Sequence, residues 1–157
     1  MQFSTHADIQ APIAWVFQQL SDFPAFERQA MRRGADLRRV DDLPRPGLGS
    51  AWDVQFQFRG RDRQLRAEVT GFEVPSSLVI TAVSPNMGGV STVELVSLAR
   101  TTTRMTVSLE VTAKSLSARL LLQSLKLAKG NLTRKFETGV AGYALNLQDR
   151  YQRRAGG

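Results

Sequence analysis

The chain has 157 residues, 42% of them apolar and 22% charged, and a formal charge of +7, the composition of one ordinary globular domain. It has no cysteine and a single histidine, His6. These counts exclude thiol catalysis, disulfide frameworks and iron–sulfur or thiolate-zinc ligation, and they leave too few imidazoles for a nitrogen-ligated zinc site, so no metal or other cofactor is expected.

Along the chain, Phe3, Thr5, Ala7 and Ile9 alternate with Ser4, His6 and Asp8, the period-two signature of a strand with one buried face. His6 falls on the opposite face and reads as a surface histidine rather than a proton-transfer group. This start has neither the basic residues nor the unbroken apolar run of a secretory signal, and no stretch is apolar enough to span a bilayer; a cytoplasmic protein is the expectation. Ala11-Pro12 opens a short helix with Ile13, Val16, Phe17 and Leu20 on one face, and Ser21-Asp22 ends it and caps a second around Pro24 to Gln29.

A strand over Leu37 to Val40 is followed by a loop punctuated by Pro44, Pro46, Gly47 and Gly49. Trp52, Val54, Phe56 and Phe58 alternate with polar residues, and Arg59-Gly60-Arg61-Asp62 turns the chain back into Leu65, Ala67 and Val69, a hairpin. Strands over Leu78 to Val83, Val90 to Leu98 and Arg104 to Val111 follow, with Gly88-Gly89 read as a hairpin turn because no phosphate-loop context surrounds it. From Ser115 to Gln152 apolar residues recur at helical spacing, and Gly130 predicts a bend or break. Residues 1–152 read as one domain and 153–157 as a frayed, disordered tail.

This order of elements resembles the helix-grip (Bet v 1-like) fold of the START-like (SRPBCC) superfamily. Ile9-Gln10-Ala11-Pro12-Ile13-Ala14-Trp15-Val16-Phe17 is similar to that family's entry from strand to first helix, and Leu20-Ser21-Asp22-Phe23-Pro24-Ala25-Phe26 to its second-helix start. Val74-Pro75-Ser76-Ser77-Leu78-Val79 resembles a proline turn between its middle strands, and Thr103-Arg104-Met105 the turn before its last strand. The run from Leu116 to Leu132 is similar to the Leu/Arg-rich helix of the polyketide cyclase/dehydrase and lipid-transport branch. The resemblance implies an α+β fold: a curved antiparallel sheet of about seven strands, two short helices after the first strand, and a long C-terminal helix over the concave face with an apolar cavity between.

Within that frame the cavity walls are expected from Trp52, Val54, Phe56 and Phe58, from Leu65, Ala67 and Val69, from Met105, Val107 and Leu109, and from Leu132, Phe136, Val140 and Tyr143. Two residues are weak candidates for chemistry. Tyr143 could offer its hydroxyl to a ligand. Glu94 sits in a strand whose two faces are both apolar; inward, it would be an acid/base group in an apolar cavity, and outward, an ordinary surface carboxylate.

Arg119, Lys126 and Arg134 fall within about a quarter turn on the polar side of the predicted helix, a possible docking stripe for an anionic membrane surface as against a solvated face. Arg59, Arg61, Arg63 and Arg66 cluster near one hairpin without the aromatic interleaving of nucleic-acid binders, so nucleic acid is not an expected partner. The function expected is binding or transport of a small apolar ligand, such as a lipid, quinone, isoprenoid or polyketide. The alternatives are a metal-free cyclase or dehydratase using the polar groups of the cavity, and a basic interaction module for an anionic membrane or acidic partner. Entry to the cavity is expected past the loops Asp41 to Gly49 and Ser84 to Gly89.

Overall fold

The computed structural model describes residues 1–156. Alternation at the start produces β1 (Gln2–Ile9), with Phe3, Thr5 and Ala7 half-buried, Ile9 buried, and the residues between them exposed. Pro12 precedes α1 (Ile13–Leu20), which buries Val16, Phe17 and Leu20. Asp22 then caps α2 (Phe23–Arg32), its carboxylate accepting from the Ala25 N–H at 3.3 Å. The remaining elements are β2 (Asp36–Arg39), β3 (Ala51–Phe58), β4 (Arg61–Glu73), β5 (Ser77–Val83), β6 (Met87–Ala99), β7 (Thr102–Ala113), α3 (Leu116–Lys126) and α4 (Lys129–Gly156).

All seven strands form one antiparallel sheet in the order β1-β7-β6-β5-β4-β3-β2. From β2 to β7 this is a meander, so β1 and β2, consecutive in sequence, occupy opposite edges. The chain between them must cross the full width of the sheet, and α1 and α2 make that crossing. The β3–β4 hairpin closes through Arg59 and Gly60 at φ of 52° and 74°, the two left-handed residues that a tight hairpin turn requires. Register shifts between Val69 and Gly71 and between Ser97 and Ala99 mark bulges in β4 and β6, and bulges bend a strand. At the first, a Cβ on Gly71 would stand 2.8 Å from Val79 Cγ2; only glycine allows that approach.

Packing settles several points that periodicity leaves open. In β6, Ser91, Val93 and Leu95 face inward, whereas Val90, Glu94, Val96 and Leu98 are exposed. Gly88 and Gly89 are not a turn: they pair within the sheet with Val83 and Ala82 on one side and Thr112 and Val111 on the other. The turn is Ser84-Pro85-Asn86, closed where the Met87 N–H donates to Ser84 Oγ at 3.1 Å and the Ser84 N–H to the Met87 carbonyl at 2.9 Å.

The expected single C-terminal helix is two helices, and the break falls at Leu127-Ala128 rather than at Gly130. Gly130 lies in the first turn of α4, where the N–H groups lack intrahelical partners in any case. Beyond Leu122 no residue of α3 is fully buried, and the helix ends four residues later at Lys126. At the other end α4 continues through Gly156, past the expected end at Gln152. Arg153 pairs with Asp149 at 3.0 Å and the Arg154 guanidinium lies 5.4 Å from the centre of the Tyr151 ring, so the residues expected as a tail are helical; residue 157 lies outside the described residues.

The core gathers Ile9, Val16, Val69, Met105 and Leu147, all essentially inaccessible. Aromatic edges tie the layers together, Trp15 on Tyr151 at 5.0 Å, Phe17 on Phe72 at 5.2 Å and Phe23 on Trp52 at 5.2 Å. The Thr103 hydroxyl, fully buried, donates to the Ala11 carbonyl at 2.8 Å and holds the corner between β1 and α1 against β7.

The loop after β2 is latched by Asp41. Its carboxylate accepts from Arg39 at 2.9 and 3.0 Å and from the N–H groups of Leu43 and Ala51 at 3.0 and 2.9 Å. The Arg39 guanidinium, then the Ala51 amide, hold this carboxyl well below the usual carboxylate range. A depressed folded-state value contributes stability that is fully present above the ordinary carboxylate pKa of about 4 and is lost as pH falls toward the folded value. Asp41→Asn is therefore expected to lower the urea midpoint at neutral pH and to flatten part of its decline in acid; identical pH profiles for variant and wild type would show that the latch contributes nothing.

Candidate functional site: an apolar cavity between sheet and helix

The inward rows of the sheet do not all meet the helices. Between them lies a cavity of about 400 Å³. The sheet supplies Leu37, Trp52, Val54, Ala67, Leu78 and Ile80 from β2 to β5, and Ser91, Val93, Met105 and Val107 from β6 and β7. Leu20 comes from α1, and Phe23, Phe26 and Glu27 from one face of α2, while Gly139, Val140 and Tyr143 come from α4. Gly139 is solvent-exposed and also lines the cavity, which places the opening beside α4. A Cβ built there would meet no atom within 4 Å, so a larger side chain at this turn of the helix would meet no clash.

Few polar groups face this space. Glu27 accepts a 2.7 Å hydrogen bond from the Trp52 indole N–H, which fixes both side chains. Ser91 presents its hydroxyl from β6. Tyr143, packed beside Phe26 with ring centres 6.0 Å apart, has no hydrogen-bond partner for its hydroxyl among the described residues. Burial pushes the Tyr143 phenol up to about 12, because the phenolate would be formed in an apolar surround. The group is a neutral donor at any pH at which the protein is handled.

Seven of the residues expected at the cavity stand there: Trp52, Val54, Ala67, Met105, Val107, Val140 and Tyr143. The other seven lie elsewhere. Val69 is in the filled core. Leu109 is paired with Phe3, and Phe136 packs on Phe3 with ring centres 5.7 Å apart, so one step along β7 and α4 from Val107 and Val140 the interior is closed by side chains. Leu132 is half-buried nearer the start of α4, Phe56 is half-buried near the end of β3, and Phe58 is partly exposed under Arg59 and Arg63. Leu65 faces a different depression.

The face of α2 that carries Phe23, Phe26 and Glu27 is missing from the sequence reading, although its three-and-four spacing behind the Asp22 cap is a legible amphipathic signal. Leu78 and Ile80 share one strand parity and are open to the same inference. Ser91 and Val93 are not, since both faces of β6 are apolar.

Glu94 is on the outer face, in register with Thr106 and Ser77, and is no part of the cavity. His6 is exposed on the outer face opposite Thr106. Arg119 and Lys126 sit on α3 but Arg134 on α4, so the break between helices divides the expected stripe. The loop from Asp41 to Gly49 contributes no lining residue. Ser84 and Pro85 instead border a polar groove of about 520 Å³ with Asp36, Asp53, Gln64 and Leu65. There Asp53 accepts from Arg38 at 3.2 Å and from Arg66 at 3.0 Å. Those charges are exposed and already answered by one another, whereas in the apolar cavity the Tyr143 hydroxyl is left without a partner among the described residues.

No family model and no curated protein matches the chain. Solved structures do. The Zhui aromatase/cyclase from Streptomyces sp. R1128 superposes with a TM-score of 0.68 over 100% of this chain and 98% of its own, at 11% identity. A protein from Thermus thermophilus gives 0.66 over 98% and 99%, at 14% identity. Ara h 8.0201 gives 0.58 over 93% and 98%, also at 14% identity. With the strand order and helix placement above, these matches define the class: the chain has the helix-grip, Bet v 1-like fold. No helix among the described residues is long and apolar enough to cross a membrane.

Replacing Glu27 by Leu strands the indole N–H of Trp52 and is expected to cost about 1–3 kcal/mol in urea unfolding, whereas Glu27→Gln keeps an acceptor and most of the stability. Equal stability of the two variants would contradict this role.

Proposed function

We propose that the protein binds a small, predominantly apolar ligand carrying one hydrogen-bonding group, and encloses it between the sheet and α4 without transforming it. A lipid, quinone, isoprenoid or polyketide fits this description. The observation that carries the reading is an apolar cavity of about 400 Å³ in which the Tyr143 hydroxyl lacks a protein partner. That volume lies in the range of small-molecule sites, about 300–1,000 Å³. Removing apolar ligand surface from water supplies affinity at about 25 cal/mol per Å², less the cost of ordering the complex. Tyr143, held neutral, would donate to a carbonyl or ether oxygen, and Ser91 would donate or accept nearby.

One of the structures with this fold is named an aromatase/cyclase, and turnover of a polyketone is the second reading. Its acid and base would have to be Tyr143 and Glu27, since Glu94 faces outward. Glu27 is already engaged by Trp52 and the Tyr143 phenol is held protonated, which favours holding a ligand over moving its protons.

Gly139 provides the test, because a side chain there meets no clash. Gly139→Phe is expected to fill the mouth of the cavity and weaken uptake of the uncharged fluorophore N-phenyl-1-naphthylamine at least about tenfold. Removing a helical glycine should meanwhile leave stability equal or higher, by up to about 0.5 kcal/mol. Saturable uptake that is unchanged in the variant, or none in the wild type, would overturn the proposal.

A further inference from the structure

Helix α3 is amphipathic in the usual sense on one side only. Ala118 and Leu122 are buried and Leu121 and Leu125 half-buried, which accounts for its seat on the body of the protein. On the opposite side Leu116, Leu120 and Leu127 are 72%, 57% and 92% exposed. At about 100° per residue, Leu116, Leu120, Gln123 and Leu127 fall within an arc of about 60°. The solvent face of this helix is thus a leucine ridge, where a water-facing helix would carry polar residues.

The ridge is embedded in positive charge. Between Glu110 and Glu137 the chain carries Lys114, Arg119, Lys126, Lys129, Arg134 and Lys135 and no carboxylate. All six are exposed, and none is in an ion pair among the described residues. Arg119 and Lys126 project to one side of the ridge, about 60–80° from Leu116. On the other side Arg59 donates to Ser124 Oγ at 3.2 Å. That bond brings the tip of the β3–β4 hairpin alongside α3, with Arg61 and the partly exposed Phe58. Apolar side chains flanked on both sides by unpaired cations are assembled from segments distant in sequence.

We propose that α3 and the β3–β4 tip form a docking surface for an anionic phospholipid bilayer. The leucines enter the boundary between headgroups and acyl chains, and the arginines and lysines lie at the phosphates. Charge complementarity selects this occupant: a second copy of the chain would bring two strongly cationic faces together. A convex ridge also suits a deformable lipid surface, and α3 lies along the membrane rather than through it. The surface does not depend on the ligand reading and stands whether the cavity is occupied or not.

Co-sedimentation of the whole chain with phosphatidylcholine vesicles, with and without phosphatidylglycerol, tests the proposal. Binding is expected only to the anionic vesicles and is expected to weaken with salt. Arg119→Gln with Lys126→Gln should lower the partition coefficient about 30-fold, from two cations near the surface. Leu120→Ser with Leu127→Ser should lower it at least about tenfold through lost apolar insertion. Both pairs are exposed, and thermal melts matching wild type would show that folding is intact; if a melt is lowered, the single variants Leu127→Ser and Lys126→Gln give the same comparison. Equal binding to neutral and anionic vesicles, no binding to either, or full binding by the leucine variants would overturn the proposal. So would a dimer in solution that dissociates when the leucines are replaced.

Discussion

The seating of α4 at its two ends, and not between them, is the constraint from which the interior follows. Ala144 and Leu147 are buried in one cluster with Ile9, Val16 and Met105, and Trp15 closes on Tyr151 from α1. Two polar ties reinforce that end: Gln148 accepts from the Gln10 N–H at 3.0 Å, and Arg150 donates to Gln19 at 2.7 Å. Toward its other end α4 rests on Phe3 through Phe136. Between these two seats the helix spans a sheet curved by bulges, and at Gly139 it presents no side chain to fill the gap. A helix seated along its whole length would leave a solid core.

Polar chemistry is distributed in keeping with that division. Where the interior is filled, buried polar atoms are answered inside the protein, as with Thr103 and Ala11, and no buried side-chain nitrogen or oxygen is left without a partner among the described residues. Across the outer face, charges answer charges: Arg104 pairs with Asp8 at 2.8 Å, and Arg38 and Arg66 share Asp53. At the cavity, Glu27 is answered by Trp52, and the Tyr143 hydroxyl is left for a guest. The surplus of cations is concentrated on α3, the start of α4 and the hairpin tip, away from those pairs.

Most of the architecture was legible because the signals were local. Alternation from Phe3 to Ile9 and from Trp52 to Phe58 named strands and their inner faces, and Pro12 and Asp22 marked the starts of two helices where they stand. β6 resisted because Val90, Val96 and Leu98 are apolar and yet face water, so alternation carried no sign until β5 and β7 fixed the register. The break at Leu127-Ala128 resisted because neither residue is a helix breaker, while Gly130 sits harmlessly in the first turn of α4. Strand parity brings Trp52, Val54, Ala67, Met105 and Val107 to the side of the sheet that borders this cavity. Parity does not distinguish an inward residue that meets a neighbour, such as Val69 or Leu109, from one that faces empty space, such as Val54 or Val107. The spacing of Phe23, Phe26 and Glu27 marks one face of α2 but carries no sign of what that face meets.

The central claim is that an apolar guest occupies the space under Gly139 and Tyr143, and methyl NMR during titration with an uncharged apolar probe addresses it most directly. Saturable shifts at Ile80, Val93, Val107 and Val140, with Ile9, Val16 and Leu147 unmoved, are the predicted result. Shifts confined to exposed methyls such as Leu116 and Leu120, or none that saturate, would contradict the account.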